Sequence, residues 1–292
     1  MLSPSGLAAA LGLASALSFG AGNFAAQRLT ARHGWLRALL AVQAVSLPLV
    51  AGLALAVDGV PVLEASALRL LLGLGLLNSF GLAAMYRAFA RGALSIVAPI
   101  ASSFAATTVV LSALAGRAPG AATAVGLAVI VGGIVVVSSA QGSGPADPDR
   151  PRGAGVGSAC LASLSLGTVF FGLDGAASSL GPLWPVVALR LVGVASLSAL
   201  LRLGPPAGPP APLVWPTLLA CAVLDTGGMV LYSAGARLGD AAVVAVLASL
   251  FSVVTIALAQ LRLRERLARG QWLGVALVLL GTVWVVWRAN AG

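Results

Sequence analysis

Asp225 is the residue of this sequence best suited to binding chemistry, because it is a carboxylate within the hydrophobic run over residues 213–236. A charged group in such a run must face a cavity, pair with a cation or be protonated, since burying it alone costs several kcal/mol. Arg190, in the preceding hydrophobic run, is the candidate partner. Asp225 is therefore predicted either to bind a substrate cation or proton, or to form a structural ion pair. Arg190 could instead receive a substrate carboxylate or extend to the membrane surface.

Three further polar residues lie in hydrophobic runs and are candidates for the same chemistry. Asp174 is a second candidate for binding a proton, although its place near the end of a run favours the rim of a site. Asn23 and Asn78 carry amides, which bind polar solutes but also join membrane helices by hydrogen bonds. We expect Asn23 to face a substrate, and for Asn78 we favour the helix-joining role.

The composition determines what surrounds these side chains. Of 292 residues, 59% are hydrophobic and only 9% are charged. A soluble domain carries roughly a quarter of charged residues, because its surface must face water. Most of this surface must therefore face membrane lipid. The net charge of +9 comes from arginines at the ends of hydrophobic runs, where they anchor to lipid headgroups, so nucleic-acid binding is not expected.

Ten hydrophobic runs can be delimited, and each is predicted to be a transmembrane helix, because lipid leaves no other partner for the backbone. They cover residues 6–26, 35–57, 66–86, 93–115, 120–140, 154–176, 184–203, 213–236, 240–261 and 270–288. The most polar stretch, QGSGPADPDRPRG, occupies residues 141–153 and divides the chain near its midpoint. We therefore predict a first five-helix repeat at 1–140, a linker at 141–153 and a second repeat at 154–292.

The two halves are similar in sequence when one is shifted by about 147 positions. Gly20, Phe104 and Thr108 then fall on Gly167, Phe251 and Thr255, and a shift of 146 places Tyr86 on Tyr232. Because each half holds an odd number of spans, the second must enter the membrane from the opposite side. The predicted fold is thus an all-α membrane protein of two inverted repeats, a design that places a substrate site near the midplane and operates by alternating access.

The duplication adds hydroxyl groups to the predicted cavity wall. Tyr232 follows Asp225 by two helical turns, and Ser79 and Tyr86 keep the same spacing in the first half. Serines on the fourth span form a helical stripe, although such residues also serve simply in packing. These further candidates are Tyr86, Tyr232, Ser79, Ser102 and Ser103.

Several motifs are missing from the sequence. It has no phosphate-binding loop, no Cys-x-x-Cys pair, and its single histidine lies outside the runs. We expect no cofactor, no metal and no enzymatic activity. Gly126 and Gly133, with Gly274 and Gly281, form close-packing faces that would also allow a homodimer.

The sequence resembles the EamA family of the drug/metabolite transporter superfamily. FGAGNF, from Phe19 to Phe24, is similar to the tryptophan–glycine motif of the family's first helix, with Phe19 replacing the tryptophan. The stretches at 249–267 and 271–285 follow the family's ninth and tenth helices, with Arg264-Glu265-Arg266 as its Gly-Glu-Arg loop. The equivalent loop of the first half, residues 116–119, lacks the glutamate.

The resemblance implies a multi-pass exporter of amino acids and other metabolites in the bacterial inner membrane, with both termini in the cytoplasm. The arginine distribution favours the opposite orientation, because the side richer in arginine does not hold the termini. An exporter of lipophilic drugs or lipids, and a membrane scaffold without transport activity, are the alternative functions. The predicted partners are membrane lipid and a small-molecule substrate.

Overall fold

The computed structural model describes residues 3–61, 64–92, 94–117, 119–139, 155–203, 214–238 and 241–263, and parts of 270–287. Its helices are α1 (Pro4–His33), α2 (Trp35–Val57), α3 (Ala65–Arg91), α4 (Leu94–Ser102), α5 (Phe104–Leu114), α6 (Ala121–Ser139), α7 (Val156–Leu180), α8 (Trp184–Leu203), α9 (Trp215–Leu238), α10 (Ala241–Ala248) and α11 (Phe251–Leu263). All regular structure in these residues is helical. The predicted linker at 141–153 and the Arg264-Glu265-Arg266 loop lie outside the described residues.

Local sequence signals determine where α1 begins and ends. The Ser3 side chain accepts a hydrogen bond from the Gly6 N–H and Pro4 occupies the first turn, a position that needs no N–H. Gly34 alone separates α1 from α2, and its φ of +76° is one that glycine adopts without steric cost. The chain can therefore reverse within one residue, and α2 returns antiparallel to α1.

Seven stretches among the described residues are long and apolar enough to cross a membrane, and the protein is a multi-pass membrane protein. They are Pro4–His33, Trp35–Val57, Ala65–Arg91, Val156–Leu173, Trp184–Leu203, Trp215–Leu238 and Ala241–Leu258. Two shorter apolar helices, Ile100–Leu114 and Ala121–Gly133, fall within the predicted fourth and fifth spans. The predicted tenth span is described only in part, so the full set of ten remains a prediction.

The predicted fourth and ninth spans are each interrupted rather than continuous. Ser103 separates α4 from α5, and its N–H and hydroxyl both donate to the Ile100 carbonyl. At the corresponding place in the second half, a turn at Ser249 and Leu250 separates α10 from α11. Tight i to i+3 bonding replaces the α-helical pattern at both positions, and this local bonding is not readable from hydropathy.

Contacts between helices are reciprocal under the shift of about 147 positions. Under this shift α1 corresponds to α7, and α3 corresponds to α9. Helix α1 packs mainly on α9, and helix α7 packs in the same way on α3. The Thr108 hydroxyl donates to the Gly167 carbonyl at 2.9 Å, and the Thr255 hydroxyl donates to the Gly20 carbonyl at 3.1 Å. Exchanging the two halves converts one hydrogen bond into the other. Such reciprocity is the pattern expected of related halves packed about a two-fold axis.

The helix face that carries Gly281, near the C-terminus, packs against another helix of the same chain. A Cβ added at Gly281 would lie 3.0 Å from the Gly126 carbonyl oxygen and 2.7 Å from Ile130. Trp284 also donates its indole N–H to the Ala122 carbonyl at 2.8 Å. This face thus packs the last segment against α6, and the homodimer stays a prediction.

Candidate functional site

A small cavity lies where helices from the two halves of the chain meet. Helices α1, α3 and α5 contribute one part of its wall, and α7, α8, α9 and α11 contribute the other. Its lining residues are Phe19, Asn23, Asn78, Leu82, Met85, Phe104, Leu166, Phe170, Arg190, Asp225, Met229 and Phe251. The cavity volume is about 30 Å³, which holds a few water molecules and no metabolite. A substrate could therefore enter only if the helices around the cavity move apart.

An ion pair between Arg190 and Asp225 forms the charged part of this cavity. The Arg190 Nη2 atom donates to the Asp225 Oδ2 atom at 2.6 Å. The Arg190 side chain is 1% exposed and the Asp225 side chain 12% exposed, so the carboxylate is the more accessible of the two. The structure thus places Arg190 inward against Asp225 and not at the membrane surface. The pair is electrically neutral as a whole, which reduces the cost of keeping both charges away from water.

Gln43 completes the polar centre and was not among the residues that the sequence singled out. Its Oε1 atom accepts a hydrogen bond from Arg190 Nη1 at 2.9 Å, and the residue is fully buried. A Cβ at Gly193 would lie 2.6 Å from Gln43 Nε2, so the amide can occupy this place only because residue 193 lacks a side chain. One signal could have identified Gln43: the shift of 147 places it on Arg190, and both lie in hydrophobic runs.

We predict that Gln43→Leu lowers the free energy of unfolding by about 1–3 kcal/mol, because Arg190 Nη1 would be left buried without an acceptor. The variant should also bind substrate more weakly, since the guanidinium would no longer be held on two sides. Denaturant unfolding in detergent measures the first effect. Thr168→Val is the matched control, because the Thr168 hydroxyl donates to the Leu164 carbonyl of its own helix and the residue is half-buried. Equal stability of the two variants would contradict a positioning role for Gln43.

Two amides face the same cavity, and one of them lacks hydrogen-bond partners. Asn23 and Asn78 both line the cavity, from α1 and α3. Asn78 is fully buried, yet among the described residues neither its Nδ2 nor its Oδ1 atom has a hydrogen-bond partner. The helix-joining role favoured from the sequence is therefore not seen for Asn78 in this part of the chain. Such an amide retains its capacity to bind a polar ligand.

Four phenylalanines from four helices form the apolar side of the cavity, and we call Phe19, Phe104, Phe170 and Phe251 the phenylalanine cluster. The Phe104 ring stacks on Phe170 with centroids 4.6 Å apart, and on Phe251 at 6.1 Å with an interplanar angle of 6°. Phe19 contacts Phe170 and Phe251 edge to face. The cluster joins the two halves and fills space that a substrate would otherwise occupy.

The hydroxyl residues predicted for the cavity wall lie beside the cavity but are not among the described residues that line it. Tyr232 is fully buried and donates to the Phe170 carbonyl at 3.1 Å, so it supports the phenylalanine cluster from behind. Tyr86 contacts the Cys221 sulfur at 3.8 Å. The Ser79 hydroxyl donates to Gly75 O.

The remaining predicted residues lie elsewhere or outside the description. Ser102 is buried within α4, and the Ser103 hydroxyl lies 2.8 Å from that of Ser163. The Asp174 side chain lies outside the described residues, so its role stays a prediction. No group of three metal-ligating side chains occurs in the part of the chain that the structure describes.

A larger cavity, of about 330 Å³, lies where the start of α3 meets the end of α7. Its lining residues are Glu64, Ser66, Ala67, Leu70, Leu71, Ala176 and Leu180. Glu64 is the only charged side chain in this lining, and it is exposed. The smaller cavity has the more developed polar centre, because it combines a buried ion pair with two amides.

Comparison with known proteins identifies relatives of the fold and of the second half. Residues 153–287 match the model of the EamA-like transporter family. No curated protein matches the chain. One solved structure, described as the crystal structure of a protein, covers 97% of this chain and 98% of its own, with a TM-score of 0.73 and 19% sequence identity. That likeness concerns the fold alone, and it extends over both halves.

Proposed function

Because residues 153–287 match the model of the EamA-like transporter family, we propose that this protein is a secondary transporter that exports small polar metabolites such as amino acids. The family consists of transporters, so a transport function is the starting point and an enzymatic one is not. The observation that carries the choice of substrate is the Arg190–Asp225 pair, which is buried and yet lines a cavity. A zwitterion carries a carboxylate that can pair with Arg190 and an ammonium group that can pair with Asp225.

The proposed mechanism is alternating access between two inverted halves, residues 1–140 and 154–292. The reciprocal hydrogen bonds of Thr108 and Thr255 support it, because each joins an interrupted span of one half to the first helix of the other. The cavity of about 30 Å³ corresponds to a closed state. Opening it to one side requires one set of these contacts to separate, and opening it to the other side requires the equivalent set. The proposed location is the bacterial inner membrane.

The apolar wall supports a second candidate function, the export of lipophilic drugs or lipids. Eight of the twelve lining residues are Phe, Leu or Met, and such surfaces bind hydrophobic ligands of varied shape. A transporter of this kind would need the phenylalanine cluster but not the ion pair. The two candidates therefore differ in their dependence on Arg190.

Transport into proteoliposomes separates these functions. We expect uptake of labelled leucine to be faster than into protein-free liposomes, and to be lost in the double variant Arg190→Met with Asp225→Leu, which replaces the pair by apolar side chains. Uptake of a lipophilic dye that survives in the double variant would favour the drug or lipid exporter. If neither solute enters faster than into empty liposomes, the transporter proposal fails and a scaffold role takes its place.

A further inference from the structure

The polar atoms around Arg190 that lack partners are mainly hydrogen-bond donors. Among the described residues, Arg190 Nε and Asn78 Nδ2 are buried donors without an acceptor, whereas Asn78 Oδ1 is the one such acceptor in the cavity lining. An exchange of the amide nitrogen and oxygen in Asn78 leaves this inventory unchanged, because neither atom has a partner. A ligand that fits the inventory must be rich in acceptors, as a carboxylate is.

Arg190 and Asp225 both line the cavity, and Asp225 is the more exposed partner of the pair. Its side chain is 12% exposed, against 1% for Arg190, and its Oδ2 atom is bound to Arg190 Nη2. Gln43 binds the other terminal nitrogen from α2. A ligand carboxylate can therefore occupy the position on Arg190 Nη2 only by displacing the carboxylate of Asp225.

From this arrangement we infer that Asp225 acts as an internal substitute for the substrate carboxylate. It occupies the anion site on Arg190 while the cavity is closed and yields that site when a carboxylate-bearing substrate binds. The inference rests on the proposed transport function and specifies the substrate as a carboxylate that also carries a cationic group. That cationic group is required because the displaced Asp225 would otherwise stand unpaired away from water.

The exchange conserves both charges and hydrogen bonds. In the closed state one carboxylate and one guanidinium are paired. In the bound state the substrate carboxylate pairs with Arg190 and accepts from Asn78 Nδ2, while the substrate ammonium pairs with Asp225. A ligand that is only an amine meets the Asp225 carboxylate while Arg190 still holds it. A ligand that is only a carboxylate must displace Asp225 from Arg190 and offers the displaced carboxylate no new cation. Only the zwitterion replaces every contact that it breaks.

Three probes with one carbon skeleton test the inference by ligand-induced thermal stabilisation of the purified full-length protein. They are leucine, 4-methylpentanoate, which lacks the ammonium, and 3-methylbutylamine, which lacks the carboxylate. In the wild type, leucine should stabilise most. In Asp225→Asn the order should change, because the internal competitor is gone: we expect 4-methylpentanoate to bind about tenfold more tightly than in the wild type. Leucine should lose its advantage there, since its ammonium has no carboxylate to pair with.

Asn78→Leu provides a second test that adds no charge imbalance. It should weaken leucine binding about tenfold, whereas Thr168→Val, which removes only a hydroxyl that donates to the Leu164 carbonyl within α7, should leave it unchanged. Stabilisation of the wild type by 3-methylbutylamine, lost in Asp225→Asn, would overturn the inference and make Asp225 a direct cation site. Unchanged affinity for 4-methylpentanoate in Asp225→Asn would overturn it as well. Leucine transport by wild-type proteoliposomes then shows whether the proposed function still stands, so failure of the inference and failure of the function are distinguishable.

Discussion

Asp225→Ala should destabilise the protein by about 3–5 kcal/mol, because it leaves the Arg190 guanidinium buried without its counterion. The remaining partner of Arg190 among the described residues is the neutral amide of Gln43. Reversible unfolding in mixed detergent micelles would measure the loss, and leucine transport should fall to the level of empty liposomes.

The double variant Arg190→Met with Asp225→Leu is the matched control for this prediction. Apolar side chains of similar volume often replace a buried ion pair at no cost in stability. We therefore expect the double variant to regain most of the stability that Asp225→Ala loses, while transport stays absent. Such a result would separate the pair's role in function from its role in folding. A double variant as unstable as Asp225→Ala would contradict the view that the unpaired charge is the cause.

Gly167→Ala should destabilise the protein by an amount at the upper end of about 1–3 kcal/mol, because the new methyl group overfills a packed contact. A Cβ at this position would lie 2.5 Å from the Phe104 carbonyl oxygen and 2.5 Å from the Thr107 Cβ atom. A backbone oxygen cannot move aside as a side chain does, so α5 and α7 must separate. The Thr108 hydrogen bond to Gly167 and the position of Phe104 beside the cavity should both be disturbed, with a matching loss of transport.

Gly132→Ala is the control within the same protein. Gly132 lies in α6, and among the described residues an added Cβ would meet no atom within 4 Å. Alanine in a helix is more favourable than glycine by up to about 1 kcal/mol, so this variant should be as stable as the wild type or slightly more stable. Thermal melts of both variants in one detergent give the comparison. Equal melting temperatures would mean that α5 and α7 tolerate a wider separation than their contact implies.

The sequence predicted the polar centre in part. Asp225 and Arg190 could be paired in advance, because an acid and a base in neighbouring hydrophobic runs have few other partners. The sequence does not single out Gln43, because an uncharged amide in an apolar run is common. Its hydrogen bond with Arg190 joins residues that are 147 positions apart. The sequence favours a helix-joining role for Asn78, because amides in membrane helices often form hydrogen bonds between helices. In the structure Asn78 lines the cavity, without hydrogen-bond partners among the described residues.

Hydropathy predicts the helical spans, but it does not predict where those spans are interrupted. Continuous hydrophobicity over residues 93–115 requires a buried helix, since lipid cannot satisfy free backbone groups. It does not reveal that Ser103 bonds to Ile100 and interrupts the helix beside Phe104. The interruption lies at a contact between helices, because the Ser103 hydroxyl is also 2.8 Å from that of Ser163 in α7, and hydropathy carries no information on such a contact.

The sequence by itself determined that this chain resides in a membrane and that Asp225 must find a partner, and it predicted that the two halves are related. Each of these follows from composition or from similarity along the chain, which need no knowledge of packing. Only the tertiary structure decided that Gln43 holds Arg190, that the phenylalanine cluster joins the two halves, and that the cavity is too small for a metabolite. These features depend on side chains that lie far apart in sequence, and their distances exist only once the helices are packed.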